Sequence, residues 1–156
     1  MKIEQGDLWQ KHQEGHHICI PVNKERKTNG DAVMGAGLAN EARLMFPDLP
    51  KKLGEFIRQN NRWASGLFCH LPNYRLFLLA TKESWRETSK LTTIERSCEL
   101  LAHAYRNTLR TGTLVSPIRW PIYLPKLGCG CGQLKWPSVQ PVMAKYLATD
   151  DFVVLI

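Results

Sequence analysis

The sequence predicts an α/β fold with a mixed central sheet, and three observations carry that prediction. Short apolar runs of strand length alternate with stretches whose apolar residues recur at helical spacing. Two of the runs flank Pro72-Asn73 and read as a hairpin, which makes the sheet mixed. Two glycine loops, Gly35-Ala36-Gly37-Leu38-Ala39 and Gly128-Cys129-Gly130-Cys131-Gly132-Gln133-Leu134, each stand between a strand and a helix.

Taken in order, Lys2 to Gln5 reads as a first strand ending at Gly6-Asp7. Leu8 to Gly15 is polar around an isolated Trp9 and reads as loop or a helical turn. His17 to Val22 is a β-branched apolar strand in which Pro21 argues for a strand end or an edge. Asn23 to Ala32 is a charged loop with a turn signal at Asn29-Gly30, and it delivers the first glycine loop. Leu38, Ala42 and Met45 then repeat at helical spacing until Pro47 ends the helix near Phe46.

Pro50, Leu53, Phe56 and Ile57 mark another short helix, followed by the loop Asn60-Asn61-Arg62. Gly66 to Leu71 and Tyr74 to Ala80 are the hairpin strands, and the second is apolar enough to lie centrally, buried on both faces. Thr81 to Lys90 is a polar loop carrying Trp85. Leu91, Ile94, Cys98, Leu101 and Tyr105 form one helical stripe, with a capping box available at Thr92-x-x-Glu95 and Gly112 as the stop. Thr113 to Arg119 leads to a strand over Trp120 to Leu124. Beyond the second glycine loop, Val139, Val142, Met143, Tyr146 and Leu147 line a helix over Ser138 to Leu147, and Asp151 to Ile156 closes the chain as a buried strand.

The 156 residues suit one domain, and no repeat, linker or second domain is expected. No apolar run approaches a membrane span and the N-terminus lacks a signal segment, so a cytoplasmic protein without membrane association is expected. Five cysteines, at 19, 69, 98, 129 and 131, are an odd set and are expected to be reduced. Cys129 and Cys131 have no second pair at zinc-ligand spacing, and His12, His16 and His17 flank a strand, so neither metal nor cofactor is expected. The net charge of +7 favours an anionic partner, nucleotide or nucleic acid.

The glycine loops sharpen that inference. Glycines between a strand and a helix let backbone N–H groups approach an anion, and the helix N-terminus behind them adds its dipole. Two such loops can grip two phosphates. Ligands of open α/β sheets bind at the carboxyl ends of strands, where both loops, Asp7, Asn23 and Lys82 are expected to meet.

The segments Gly6-Asp7-Leu8, Pro21-Val22-Asn23, Val33-Met34-Gly35-Ala36-Gly37-Leu38-Ala39 and Leu124-Pro125-Lys126-Leu127-Gly128-Cys129-Gly130 together resemble the macrodomain family, over the whole of residues 1–156. The resemblance implies one three-layer α/β/α macrodomain, a monomer whose ligand is ADP-ribose. Asp7, beside Leu8, resembles the acid that accepts from the adenine amino group, although capping a turn would also explain it. Asn23 resembles the amide facing the distal ribose, with an Asx turn as the plainer account. Met34 to Ala39 and Gly128 to Leu134 would surround the pyrophosphate and distal ribose.

The run Thr81-Lys82-Glu83-Ser84-Trp85-Arg86 is similar to the macrodomain subgroup containing the antitoxin that removes ADP-ribose from thymidine in DNA. That similarity implies a catalytic role for Lys82, as nucleophile or as acid, and single-stranded DNA as a further partner. Trp85, Arg86 and Glu83 join the candidate residues. A related branch, the human terminal ADP-ribose glutamate hydrolase, has an aspartate where this chain has Gly132, so Glu83 or Glu87 would have to substitute for it. The loop Lys24 to Asp31 resembles an insertion in some bacterial and phage macrodomains. The expected function is hydrolysis at C1'' of the distal ribose on modified DNA or protein. The alternatives are a reader that binds ADP-ribose without turnover, a phosphatase on ADP-ribose 1''-phosphate, and a nucleic-acid-binding module.

Overall fold

A computed structural model describes residues 1–60, 65–111 and 117–156. Its elements run β1 (Lys2–Glu4), α1 (Leu8–Gln13), β2 (Ile18–Asn23), α2 (Gly37–Met45), α3 (Leu49–Gln59), β3 (Phe68–Leu71), β4 (Leu76–Lys82), α4 (Leu91–Ala104), β5 (Ile122–Leu124), α5 (Trp136–Tyr146) and β6 (Phe152–Leu155). The strands form one sheet in the order β1-β6-β5-β2-β4-β3. Every neighbouring pair is parallel except the β3–β4 hairpin, so the sheet is mixed, as the sequence predicts. Asn61, Arg62 and the segment Gly112 to Ser116, read above as loop and helix stop, lie outside the described residues.

Two-sided burial explains why the strands are apolar without alternation. Successive side chains point to opposite faces. Ile18, Ile20 and Val22 of β2 and Leu76, Leu78 and Ala80 of β4 therefore pack with Leu8, Ala42, Leu49, Leu53 and Ile57 of α1 to α3. Cys19, Phe77 and Leu79 face the other way, into a core with Ile94, Cys98 and Leu101 of α4 and Val139 and Met143 of α5. Helices cover both faces, which gives the three-layer α/β/α arrangement expected from the sequence resemblance. Ser97 ties α4 to the sheet: its buried hydroxyl accepts from the Leu67 N–H at 2.9 Å and donates to the Ala80 carbonyl at 2.7 Å. Among the described residues no helix is long and apolar enough to cross a membrane.

Several local expectations are corrected. Pro21 is not on a sheet edge, because β2 lies between β5 and β4. The Ile18 N–H reaches toward β4, to the Arg75 carbonyl, so by alternation the position of the missing Pro21 donor faces β5. There β5 pairs with β2 at Ile18 alone, so no ladder bond is lost. The capping box does not form either. The residue before α4 is Lys90, and Thr92 is already inside the helix. Glu95 instead accepts from the Tyr146 hydroxyl at 2.8 Å and the Lys145 ammonium at 3.2 Å on α5. Of the two readings of Leu8 to Gly15, the helical one holds over Leu8–Gln13, and β5 begins at Ile122, two residues after Trp120.

Candidate functional site

Parting of β2 and β5 beyond Ile18 opens a crevice at the carboxyl ends of the strands, where ligands of open α/β sheets bind. It forms a cavity of about 1220 Å³ lined by the ends of β2, β4 and β6, by Pro125 and Lys126 after β5, and by both glycine loops.

Within the first loop, Ala36 precedes α2 without a side-chain cap. Among the described residues the N–H groups of Gly35, Ala36, Gly37, Leu38 and Ala39 donate to no protein acceptor. Those of Ala36 to Ala39 are the four donors an α-helix leaves unpaired at its start, and all five residues line the cavity. Gly35 has an ordinary backbone angle, and a Cβ there would meet nothing within 4 Å. Its smallness serves neither the local backbone conformation nor packing against any described residue.

The second loop is folded on itself by bonds from Gln133 N–H to Gly130 carbonyl at 3.0 Å and from Leu134 N–H to Gly128 carbonyl at 2.9 Å. Gly130, Cys131 and Gly132 keep their N–H groups without protein partners among the described residues. Gly130 resembles Gly35, with open space where a Cβ would stand. Gly128 has φ +71° and packs on Ile94, whereas a Cβ on Gly132 would collide with the Ser89 hydroxyl and lie 2.5 Å from the Gly128 carbonyl. Gly132 therefore cannot carry a side chain such as aspartate without moving the backbone.

Ser89 joins this loop to the segment after β4. Its N–H donates to the Gly132 carbonyl at 3.0 Å and its hydroxyl to Thr81 at 3.0 Å. In the β2–β4 ladder, Val22 pairs with Ala80 but Asn23 with Lys82, so Thr81 is an extra residue on β4. Such a bulge re-aims the side chains beside it. It sets Lys82 next to Asn23 at the cavity, and among the described residues no carboxylate pairs with the Lys82 ammonium. The neighbouring acids are engaged elsewhere: Glu83 with Lys24 at 3.5 Å and Glu25 with Arg86 at 3.0 Å. Glu87 accepts from the Glu83 and Ser84 N–H groups, which hold its carboxyl below the usual range.

Of the residues singled out from sequence, Asn23, Met34 to Ala39, Lys82, Trp85 and Gly128 to Gly132 line the cavity. Asp7, Leu8, Glu83, Arg86, Gln133 and Leu134 do not. Asp7 caps α1, accepting the Gln10 N–H at 2.8 Å, and Leu8 is buried in the core. Gly6, before Asp7, packs on Leu155 at the cavity's end. Asn23 forms the Asx turn, accepting from the Glu25 N–H at 2.9 Å, and also donates to the Val33 carbonyl at 3.0 Å. Sequence reasoning missed Glu41, Leu155 and Ile156 as lining residues. A last strand delivered parallel beside β5 would have put its carboxyl end there, but strand order is not written in a single chain.

The histidines lie away from the cavity. His17 and His70 meet Nε2 to Nε2 at 3.2 Å, and burial pushes both down to about 4, His17 further disfavoured as a cation by His70, Arg75 and His12. Among the described residues no group of three or more His, Cys, Asp or Glu side chains is placed to hold a metal ion.

No family model matches the chain. It is 26% identical over 151 residues to the DNA ADP-ribosyl transferase-DNA ADP-ribosyl glycohydrolase fusion protein of Thermosipho africanus, an alignment covering 82% of this chain and 36% of that protein. The chain thus spans little more than a third of that relative's length. Among solved structures it is similar to Thermosipho africanus DarTG in complex with ADP-ribose, with TM-score 0.71 and 21% identity over 100% of this chain and 42% of that one. The macrodomain of Thermus aquaticus DarG superposes with TM-score 0.69 and 23% identity, covering 99% of this chain and 97% of that chain. The macrodomain of Mycobacterium tuberculosis DarG gives 0.71 and 21%, covering 99% and 95%. With two faces of helices on a mixed sheet and these superpositions, the chain has the macrodomain fold, and the macrodomains of DarG proteins are among those it is similar to.

Proposed function

We propose that this chain is an ADP-ribosyl hydrolase that removes ADP-ribose from modified DNA, thymidine-linked, or from protein, by cleavage at C1'' of the distal ribose. One observation carries the reading. Among the described residues nothing requires Gly35 or Gly130 to be small and no carboxylate pairs with Lys82, and all three line the same cavity. A diphosphate is the ligand such loops suit, because their N–H groups need acceptors and a Cβ would block its approach. The names of the similar proteins agree, one being a DNA ADP-ribosyl glycohydrolase fusion and one a complex with ADP-ribose.

In this reading the two loops hold the pyrophosphate and orient the distal ribose. Asn23 offers its amide to ribose hydroxyls, and Asp7, at the Leu155 end, accepts from the adenine amino group through the oxygen not used to cap α1. Lys82 acts at the scissile bond. As a neutral amine it would attack C1'' while the leaving group departs with the bonding pair and a proton, and water would then release the sugar. As an ammonium it would donate that proton directly, with water attacking C1''. Glu83 and Glu87, the candidates to replace the aspartate of the glutamate-hydrolase branch, are engaged in the loop after β4, the first with Lys24 and the second with the Glu83 and Ser84 N–H groups.

The deciding experiment follows release of free ADP-ribose from single-stranded DNA bearing ADP-ribosylated thymidine and from glutamate-linked ADP-ribosylated protein. Lys82→Ala should lower turnover by roughly 100-fold or more while ADP-ribose still binds. Full turnover by that variant would remove Lys82 from the mechanism. Binding without turnover on either substrate by the wild type would leave a reader, or a phosphatase if phosphate is released from ADP-ribose 1''-phosphate.

A further inference from the structure

Trp85 is an unexplained residue of the loop after β4. Trp9, Trp120 and Trp136 each pack against one of the two cores, whereas Trp85 is 51% exposed. It nevertheless lines the cavity, three residues beyond Lys82. Its ring is also braced. The Arg86 guanidinium lies 4.5 Å from the ring centroid and is itself anchored by Glu25 at 3.0 Å. An indole supported by a cation and left open at the mouth of a site offers a surface on which another flat π-system can stack.

We propose that Trp85, held by Arg86, is the platform for the base adjoining an ADP-ribosylated nucleotide, so that the cavity draws its ADP-ribose from single-stranded nucleic acid. This inference rests on the reading of the cavity as an ADP-ribose site with the scissile bond at Lys82. Single strands fit because only unpaired bases present a free face to a side chain. Nucleic acid fits because the chain carries a net charge of +7, and Lys82 and Lys126 line the cavity. The acids around Trp85 do not oppose it, since Glu25, Glu83 and Glu87 are each paired with a cation.

The test measures equilibrium binding in a Lys82→Ala background, so that the substrate survives. Three probes are compared: ADP-ribose, ADP-ribosylated thymidine as a nucleoside, and a short single-stranded oligonucleotide carrying that nucleotide beside a natural or an abasic neighbour. The oligonucleotide should bind roughly 5- to 150-fold more tightly than the nucleoside, the range of one base stacked on an aromatic ring. Trp85→Ala should abolish that gain, Trp85→Phe should keep most of it, and the abasic neighbour should remove the gain from the wild-type ring but nothing further from the alanine variant. A gain that persists in Trp85→Ala, or a loss equal for natural and abasic neighbours, would overturn the platform. Preference for an ADP-ribosylated protein that depends on Trp85 would overturn the choice of nucleic acid. Failure of ADP-ribose itself to bind would instead sink the site reading beneath both.

Discussion

The floor and the mouth of the cavity use glycine for opposite reasons. Gly128 and Gly132 at the floor are fixed by the protein, the first by a φ of +71° and contact with Ile94, the second by the Ser89 hydroxyl and the Gly128 carbonyl. Gly35 and Gly130 at the mouth are constrained by nothing among the described residues. The contrast separates glycines that build the site from glycines that leave room for what enters it. A sequence presents all four as one pattern.

The largest effect that could break this contrast is Gly132→Ala. Its new methyl meets backbone and a buried hydroxyl, neither of which can yield, and we expect roughly 3 kcal/mol of lost stability together with loss of ligand binding. Chemical denaturation checks it, and an undisturbed midpoint would show that the floor is not the rigid part. Next comes acid, which acts at the opposite end of β2. His17 and His70 stay neutral in the fold down to about 4 but take up protons near the ordinary 6.5 when unfolded. Between those values the unfolded chain binds more protons, so stability falls as pH drops from about 6.5 to about 4 and this source adds nothing further below that. Melting temperatures across that window test it; a flat profile would mean the pair is not buried as described. Smallest in stability are Gly35→Ala and Gly130→Ala, within about 0.5 kcal/mol of wild type. Their effect should fall on ADP-ribose affinity, lowered about tenfold or more, which corresponds to about 1.4 kcal/mol of binding. Calorimetric titration would expose the mouth glycines as ordinary turn residues if affinity were unchanged.

The order of elements and the meeting of both loops at the strand ends were legible because they depend on local pattern and one topological rule. What escaped depended on partners distant in sequence. Glu95 looked like half of a capping box, and only the packing of α5 on α4 shows that it answers Tyr146 and Lys145. Pro21 looked like a strand-end or edge residue because proline refuses a ladder bond. The strand is central, yet on the β5 side its ladder has already ended, so the local rule held while the topological conclusion drawn from it failed. Asp7 and Asn23 were read with two meanings each, and the turn meanings are visible in their hydrogen bonds.

The proline has one more consequence. A gap between two parallel strands is ordinarily an invitation to a third, and proteins commonly bind extended peptides by letting them complete a sheet through main-chain hydrogen bonds. Here Pro21 on one bank and Pro125 on the other each lack a backbone donor, so this gap is a poor berth for a peptide strand. What remains welcoming is the far end, lined by glycines whose N–H groups have no protein partner among the described residues and ask for acceptors richer than a carbonyl. Discrimination against peptide main chain is thus built into the opening before any substrate-specific side chain acts.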